Sequence, residues 1–374
     1  MNDEIGPEPD RMEGAPHPRE AHALFGQMAA EQSFLDAFQS DRLHHGWLIN
    51  GPRGVGKATL AWRIARFLLA TPLDEGDSLF GEALPKADSL DVPPDHPIAR
   101  RIRAGAEPGL FHIKRNLNKK TGRLRDQIVA EDVRALNKFF GLTATDGGRR
   151  VVIIDVADEM NVQAANALLK MLEEPPERAT LLLISHQPAR LLPTIRSRCR
   201  ELRLSPLAHD AMQAALAQAG IEANDASAAL AELAGGSVGE AVRLYNQDGL
   251  GLYADLVKLA AELPKLDRPR AIKLADTMSA RDGSERMDLL FSLIDLFLLR
   301  LARVGATGQT PIEAAANEAA VLSRLAPGPY QGRAWANCAQ HIGERSRQGR
   351  AVNLDPAALV LDTVFKLQQT AAAL

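Results

Sequence analysis

Residues 45–59 constrain the fold of this chain more than any other segment. An apolar run over residues 47–50 leads into a glycine-rich turn, and an amphipathic helical pattern follows. Gly51, Gly56 and Lys57 match the pattern G-x-x-x-x-G-K-[ST], in which backbone N–H groups surround phosphate oxygens and the lysine neutralises them. The sequence therefore predicts a buried strand, a phosphate-binding loop and a helix, which together begin an α/β nucleotide fold.

The last position of that pattern is altered. Ala58 stands where a Ser or Thr hydroxyl would bind Mg²⁺, and an alanine side chain cannot coordinate a metal. Thr59 is a poor replacement, because one residue along a helix turns the side chain by about 100°. A loop that keeps its backbone N–H groups but lacks the metal ligand predicts at most weak binding of ATP or ADP. We expect no required cofactor and a use of this fold other than hydrolysis.

Two arginines at 149 and 150 precede a second apolar run, residues 151–154, which ends in an acidic residue. Asp155 occupies the position from which hydrolysing enzymes with such a loop hold Mg²⁺. Those enzymes normally place a glutamate next, to orient the attacking water, and here that residue is Val156. Glu159 falls about one turn later and is expected to point elsewhere. The predicted degenerate nucleotide site consists of Gly51, Gly54, Gly56, Lys57, Thr59 and Asp155.

Strand-like and helix-like segments alternate up to about residue 205. A helical pattern over residues 161–174 ends at two prolines, and residues 180–185 form a further apolar run. This alternation predicts a parallel sheet covered by helices. Beyond residue 206, segments rich in Ala and Leu predict an all-helical remainder. The predicted parts are a disordered tail (1–20), a nucleotide-fold domain (21–205) with an insertion (71–125), a small helical domain (206–250) and an all-α domain (251–374).

The overall composition argues against several classes of protein. A net charge of −3 with 24% charged residues gives no global nucleic-acid signature, so DNA contacts would need local patches or an assembly. Two cysteines in 374 residues argue against a disulfide scaffold, and the apolar runs are too short to span a bilayer. We therefore expect a cytoplasmic protein with no membrane partner. A basic patch in the insertion is interpreted either as a solvated loop, which we favour, or as a DNA contact: Lys119, Lys120, Arg123 and Arg125.

A basic cluster follows the apolar run at 180–185. Residues 196–200 contain three arginines, a pattern that a solvated surface edge would also explain. The cluster closes the predicted α/β domain, however, and a guanidinium at a subunit edge can stabilise charge on a neighbour's γ-phosphate. Arginine suits that role because its planar fork stays charged and reaches two oxygens.

Residues 149–200 closely resemble the core of bacterial clamp-loader subunits of the AAA+ class. The resemblance rests on three motifs in the same order: N-A-L-L-K at 166–170, L-E-E-P-P at 172–176 and S-R-C at 197–199. It implies an α/β AAA+ phosphate-loop domain with a parallel sheet, a small helical lid domain and an all-α C-terminal collar.

The departures from the family pattern indicate one branch of it. Ala58 and Val156 replace two residues that the ATP-hydrolysing gamma/tau subunits keep, and in this the chain resembles the delta-prime branch of DNA polymerase III. Gly239 follows the serine of a lid-like motif by two residues, where active members carry a γ-phosphate-sensing arginine. The insertion at 71–125 contains no cysteine, so the zinc module of many relatives is not expected.

The resemblance also implies a role for the S-R-C motif. Arg198, flanked by Ser197 and Cys199, would act as an arginine finger on ATP held by an adjacent gamma/tau subunit. The implied partners are the gamma/tau and delta subunits, the sliding clamp and, through the assembly, primer–template DNA. The chain would then be a non-hydrolysing stator of the DNA polymerase III holoenzyme.

Alternatives stay open at this point. An active AAA+ ATPase of gamma/tau type would need a displaced metal ligand and base. A phosphate-loop kinase or nucleotide sensor would have no obvious use for the helical half or for the S-R-C motif. The predicted collar carries an apolar stripe that could either join subunits or form a self-contained core. Its members include Leu289, Leu290, Leu293, Leu296 and Phe297.

Overall fold

A computed structural model describes residues 9–40, 43–72, 87–118, 121–141, 148–277, 283–352 and 354–374. The chain forms two compact units. Unit 1 comprises Met1–Ile221 and Gly236–Glu240, and unit 2 comprises Glu222–Gly235 and Ala241–Leu374. Within the described ranges, no helix is both long and apolar enough to cross a membrane.

Unit 1 is built on a parallel sheet of five strands in the order β2-β3-β4-β1-β5. The strands are β1 (Gly46–Asn50), β2 (Leu110–Ile113), β3 (Arg150–Ile154), β4 (Ala179–Ser185) and β5 (Arg200–Arg203). Its helices are α1 (Met28–Gln39), α2 (Lys57–Ala70), α3 (Pro97–Arg103), α4 (Ala130–Gly141), α5 (Val162–Glu173), α6 (Pro193–Arg196) and α7 (His209–Gln218). Single 3₁₀ turns cover Ala157–Glu159 and Pro188–Arg190.

Continuous burial explains why these runs form strands. Every residue of β1 and β4 is buried, as is β3 apart from its first residue. A parallel strand covered on both faces needs such an unbroken apolar run. The predicted α/β fold with a parallel sheet is therefore confirmed.

The parallel arrangement decides where the functional loops lie. All five strands point the same way, so the segments after β1, β2, β3 and β4 meet at the carboxyl edge of the sheet. Ligands of open α/β sheets bind at this edge. The segment before β5 lies at the opposite, amino edge.

The amino-terminal segment differs from the prediction of a disordered tail over residues 1–20. Residues 1–8 lie outside the described residues, but His17 is only 1% exposed and its Nε2 lies 2.9 Å from the Asp10 carboxylate. Arg66 of α2 donates hydrogen bonds to the carbonyls of Arg19 and Ala21. Composition suggested a solvated segment because it takes no account of partners that α2 and β2 bring to these polar groups.

Unit 2 is entirely helical within its described residues. Its helices are α8 (Asp225–Ala234), α10 (Gly249–Ala261), α11 (Arg268–Asp276), α12 (Gly283–Thr307), α13 (Glu318–Leu325), α14 (Pro329–Ala351) and α15 (Pro356–Ala372), while α9 (Val238–Asn246) begins in unit 1 and continues into unit 2. Four residues of the apolar stripe on α12 are buried within the chain itself: Leu289, Leu290, Leu293 and Phe297. This burial favours a self-contained core for that stripe. The division at residues 206 and 251 into lid and collar remains a prediction.

A buried charge cluster ties the helices of unit 2 together. Arg300 donates to carboxylate oxygens of Glu318 at 2.7 Å and of Glu232 at 2.8 Å. The Tyr253 hydroxyl donates to the same Glu318 oxygen at 2.5 Å. Because Glu318 is fully buried, these donors are what make its charge tolerable in the core.

Candidate functional site

The glycine-rich loop lies at the carboxyl end of β1, immediately before α2, as predicted. Gly54 and Gly56 have φ values of 76° and 99°, in the region that L side chains avoid. A Cβ on Gly54 would lie 2.3 Å from the Ser237 hydroxyl oxygen, and one on Gly51 would lie 2.3 Å from the Leu204 carbonyl oxygen. The loop therefore requires glycine both for its conformation and for close approach of its neighbours.

The lysine of the loop is bound to the loop itself. Lys57 is 3% exposed, and its Nζ donates to the carbonyls of Gly51, at 2.7 Å, and Pro52. Burial lowers the Lys57 pKa to about 8; nearby Arg53 acts in the same direction, while Asp155 and Asp158 oppose it. The ammonium group that would meet phosphate oxygens thus already has two carbonyl acceptors.

Asp155 lies at the carboxyl end of β3, in the electrostatic neighbourhood of Lys57. Burial raises the Asp155 pKa to about 7, and the negative charges of Asp10 and Glu159 add to the effect against the opposing Lys57 and Lys114. The predicted lysine and acid therefore lie near enough for the charge of each to shift the pKa of the other. A carboxyl group with so high a pKa is a poor metal ligand while it is protonated.

The two acids that follow are engaged elsewhere. Asp158 accepts hydrogen bonds from the Ser185 hydroxyl at 2.6 Å and from the backbone N–H groups of His186 and Gln187. Glu159 pairs with Arg115 at 2.8 Å. Asp158 thus binds the loop after β4. Glu159 is paired with Arg115 and does not take the place of the water-orienting glutamate, a position that Val156 occupies in this chain.

Asp10 is a site neighbour that sequence reasoning missed. Its carboxylate pairs with His17 and Lys114, and the His112 Nδ1 lies 3.8 Å away. Burial would raise the Asp10 pKa, but hydrogen bonds from His17 and Lys114 outweigh it and hold that pKa well below its usual range. An acid in a proline-rich amino-terminal segment carries no sequence signal for this position.

Gly239 meets the phosphate loop where the family pattern has an arginine. Its backbone N–H donates to the Gly54 carbonyl at 3.1 Å, and the neighbouring Ser237 hydroxyl donates to the Arg53 carbonyl at 2.9 Å. A Cβ on Gly239 would lie 3.0 Å from Gly54 Cα and 3.4 Å from Met12 Cε. A larger side chain at this position therefore needs the loop or the amino-terminal segment to shift.

The S-R-C motif lies at the other edge of the sheet. Arg198 donates to the Thr194 carbonyl at 3.1 Å and pairs with Glu173 at 3.0 Å, with 37% of its side chain exposed. Ser197 bonds the same Thr194 carbonyl at 3.2 Å. Cys199 is half-buried, and burial raises the pKa of its thiol to about 12, which makes it inert rather than nucleophilic.

The register of β1 and β5 separates Arg198 from the phosphate loop of its own chain. Trp47 pairs with Arg200, and Asn50 pairs with Arg203. A Cβ on Gly46 would lie 3.1 Å from the Arg198 carbonyl oxygen, so the motif borders the start of β1. The phosphate loop begins five residues later, at Gly51, which is about 17 Å along a strand. The predicted phosphate loop and the S-R-C motif thus lie at opposite ends of β1 and form two separate sites.

The loop fits a nucleotide only in part. The glycine conformations and the lysine suit phosphate oxygens, whereas Ala58 offers no metal ligand. Thr59 is half-buried on α2, about 100° around the helix from Ala58. Among the described residues, no group of three or more His, Cys, Asp or Glu side chains is arranged to hold a metal ion.

Comparison with known proteins shows which family the chain is similar to. A family model described as DNA polymerase III, delta subunit, matches residues 26–208. The delta′ subunit of DNA polymerase III from Pseudomonas aeruginosa is 43% identical over 157 residues, covering 41% of this chain and 41% of that protein. The Bacillus subtilis delta′ subunit is 32% identical over 251 residues, 66% of this chain and 64% of the relative. The Escherichia coli delta′ subunit is 27% identical over 338 residues, 90% and 92% of the two chains.

The match to the family model covers the sheet, the phosphate loop and the S-R-C motif. The chain spans less than two thirds of the length of the first two relatives and about nine tenths of the third. Residues 26–208, just under half of the chain, match the model of the DNA polymerase III delta-subunit family, and the three relatives described above are delta′ subunits.

Proposed function

We propose that this protein is a delta′-like clamp-loader subunit that does not hydrolyse ATP itself and lends Arg198 to ATP held by a neighbouring gamma/tau subunit. The observation that carries the proposal is the position of Arg198 at the amino edge of the sheet, about 17 Å of strand away from its own phosphate loop. From there the guanidinium is directed to another subunit's nucleotide more easily than to its own.

The ion pair of Arg198 is weak enough for its guanidinium to leave Glu173 and bind a phosphate. Its ion pair with Glu173 is exposed on both sides, and such surface pairs are worth only about 0–1 kcal/mol. A γ-phosphate offers more negative charge and two acceptor oxygens to the same planar fork. The guanidinium can therefore exchange Glu173 for a phosphate at little cost.

Three features argue against hydrolysis at the chain's own loop. Ala58 cannot hold a metal, Val156 cannot orient water, and Gly239 has little room for a phosphate-sensing arginine. We propose that ATP or ADP binds weakly at most, with its phosphates against the loop N–H groups and Lys57, and that no zinc is held. A bound nucleotide would supply negative charge to the loop, and Lys57 would exchange its carbonyl acceptors for phosphate oxygens.

The proposed partners are the gamma/tau and delta subunits, the sliding clamp and, through the assembly, primed DNA. Contact between Arg198 and a γ-phosphate exists before hydrolysis and not after it. A ligand shifts a conformational equilibrium only through contacts that differ between the two conformations. The contact between Arg198 and the γ-phosphate would therefore couple ATP in the neighbouring subunit to closure of the assembly.

The test is Mg²⁺-dependent ATP hydrolysis by the pure chain and by its mixture with gamma/tau, delta, clamp and primed DNA. We expect no turnover alone and stimulated turnover in the mixture. Arg198→Ala is expected to lower the stimulated rate about 10²-fold or more, given that arginine fingers contribute 10³–10⁵ in rate. Arg196→Ala, on an exposed arginine two residues away, is the matched control and should leave the rate unchanged. Equal rates for wild type and Arg198→Ala would reject the finger.

A second candidate function is an active ATPase of gamma/tau type. The retained Lys57 and Asp155, whose charges influence each other's pKa, favour it. Robust turnover by the pure chain that disappears in Lys57→Ala would establish this alternative and exclude the stator.

A further inference from the structure

A cavity of about 340 Å³ lies in unit 1 on the side of α2, away from the sheet edges already described. Its walls come from the amino-terminal segment, from α2, from residues 90–94 and from α3. The charged side chains that line it are four arginines and a single aspartate: Arg19, Arg63, Arg66, Arg103 and Asp91. None of these residues belongs to the phosphate loop or to the S-R-C motif.

One of these arginines is already neutralised. Arg63 pairs with Glu31 and with Asp91, each at 2.9 Å, and it donates to the His22 carbonyl at 2.6 Å. Among the described lining residues, Asp91 is the one acid, and it pairs with Arg63. The described lining therefore offers no second carboxylate to Arg66 or Arg103.

Among the described residues, Arg66 has no carboxylate within ion-pair distance. It is 8% exposed, and it donates to the carbonyls of Arg19, at 2.7 Å, and Ala21, at 2.8 Å. Burial lowers the Arg66 pKa to about 10, and the nearby charges of Arg63 and Arg103 add to that effect. A guanidinium has five N–H donors, so part of its donor set remains for a ligand. The nearby Asp91 opposes this lowering of the Arg66 pKa but is itself paired with Arg63, so a bound anion would reduce the cost of burying the Arg66 charge.

Arg103 adds a second, solvent-exposed guanidinium to the lining of the cavity. It is exposed at the end of α3 and, among the described residues, no carboxylate lies within ion-pair distance of it. The lining also includes four apolar side chains, those of Leu90, Val92, Pro93 and Pro94. Two guanidinium forks and these apolar side chains in one cavity match a ligand that has a phosphate at one end and an apolar group at the other.

We propose that this cavity is a binding site for a small phosphate monoester, with its phosphate on Arg66 and Arg103 and its apolar part against Leu90, Val92 and Pro93. The site is separate from the degenerate nucleotide loop and does not depend on the clamp-loader role. A volume of about 340 Å³ lies within the range of small-molecule sites and is too small for a folded partner.

The probe for the test is phenyl phosphate, which carries a dianion and an apolar ring but no nucleobase for the phosphate loop. Binding to the full chain is measured by isothermal titration calorimetry, beside inorganic phosphate. We expect saturable binding of phenyl phosphate that is tighter than binding of inorganic phosphate. Equal affinities for the two probes would reject the proposed contact between the ligand's apolar part and the cavity. Absence of phenyl phosphate binding would reject the site.

Variants distinguish the cavity from other sources of anion binding. Arg66→Ala would also remove the hydrogen bonds that hold the amino-terminal segment, so Arg103→Ala is the informative variant. It should weaken phenyl phosphate binding about tenfold, whereas Arg100→Ala, on an exposed arginine of α3 that does not line the cavity, should leave it unchanged. Equal losses in both would indicate non-specific attraction and reject the site. A loss confined to Lys57→Ala would assign the binding to the phosphate loop and reject it as well.

Discussion

Arg198 and Glu173 form an ion pair at 3.0 Å that joins the S-R-C motif to the L-E-E-P-P motif. The two motifs lie 25 residues apart in the chain, at the end of α5 and in the segment before β5. Gly46, at the start of β1, lies between them and leaves no room for a side chain: a Cβ there would be 2.9 Å from Leu172 and 3.1 Å from the Arg198 carbonyl oxygen. The surroundings of the proposed finger are thus set by three separate segments.

Removing the charge of Glu173 should free the Arg198 guanidinium from its ion pair. If Arg198 must leave Glu173 to reach a neighbour's phosphate, Glu173→Gln lowers the cost of that exchange by at most about 1 kcal/mol. We expect the concentration of this chain that half-maximally stimulates gamma/tau ATPase to fall two- to fivefold. Glu174→Gln, on the exposed neighbouring glutamate, is the control and should have no effect. A loss of stimulation as large as that of Arg198→Ala would mean instead that Glu173 positions the guanidinium.

The raised pKa of Asp155 should make the folded protein less stable as the pH rises. Its pKa is about 7 in the folded state against 3.8 when unperturbed, so the folded state holds the proton more tightly. The stability contributed by Asp155 is present below about pH 4 and is lost as the pH rises to about 7, with about 4 kcal/mol as an upper bound.

Asp155→Asn removes this titration and measures it directly. The difference in urea unfolding free energy between variant and wild type should grow in favour of the variant from pH 4 to pH 7. Asp10→Asn should lower the Asp155 pKa, because the Asp10 charge is one of its causes. A difference that stays constant over this pH range would show that Asp155 ionises normally.

A side chain at Gly239 should strain the phosphate loop. Gly239→Ala would put a methyl group 3.0 Å from Gly54 Cα, and we expect a loss of about 1–3 kcal/mol in the free energy of unfolding. Gly141→Ala is the matched control, because a Cβ on Gly141 meets nothing within 4 Å. Chemical denaturation of both variants checks this. Similar free energies of unfolding for the two variants would contradict the tight contact.

The Arg300–Glu318 pair should be sensitive to loss of either partner. Glu318→Ala leaves the buried Arg300 with the partly exposed Glu232 as its remaining carboxylate, and we expect destabilisation of about 3–5 kcal/mol. Replacing both residues by apolar ones, as in Arg300→Met with Glu318→Leu, should cost much less than the sum of the single changes. Additive costs in thermal or denaturant unfolding would mean that the pair is not coupled.

Much of unit 1 could be predicted locally. The predicted apolar run at 180–185 lies within β4, which extends only one residue further at its start, and the predicted helix at 161–174 is α5 with Asn161 as its cap. The glycine pattern located the phosphate loop, and Ala58 and Val156 marked its missing chemistry. These features depend on neighbours along the chain, so periodicity and spacing suffice to find them.

The rest depended on residues far apart in sequence. Asp10 pairs with Lys114, Arg66 binds the carbonyl of Arg19, and Arg198 pairs with Glu173. No local pattern predicts which charges meet, because the meeting is decided by how strands and helices pack. The sequence by itself therefore determined the class of fold and the positions at which the chain departs from the phosphate-loop pattern. Only the tertiary structure decided which charges are buried, which are paired and on which edge of the sheet the arginine lies, because burial and Coulomb interactions depend on distances in space.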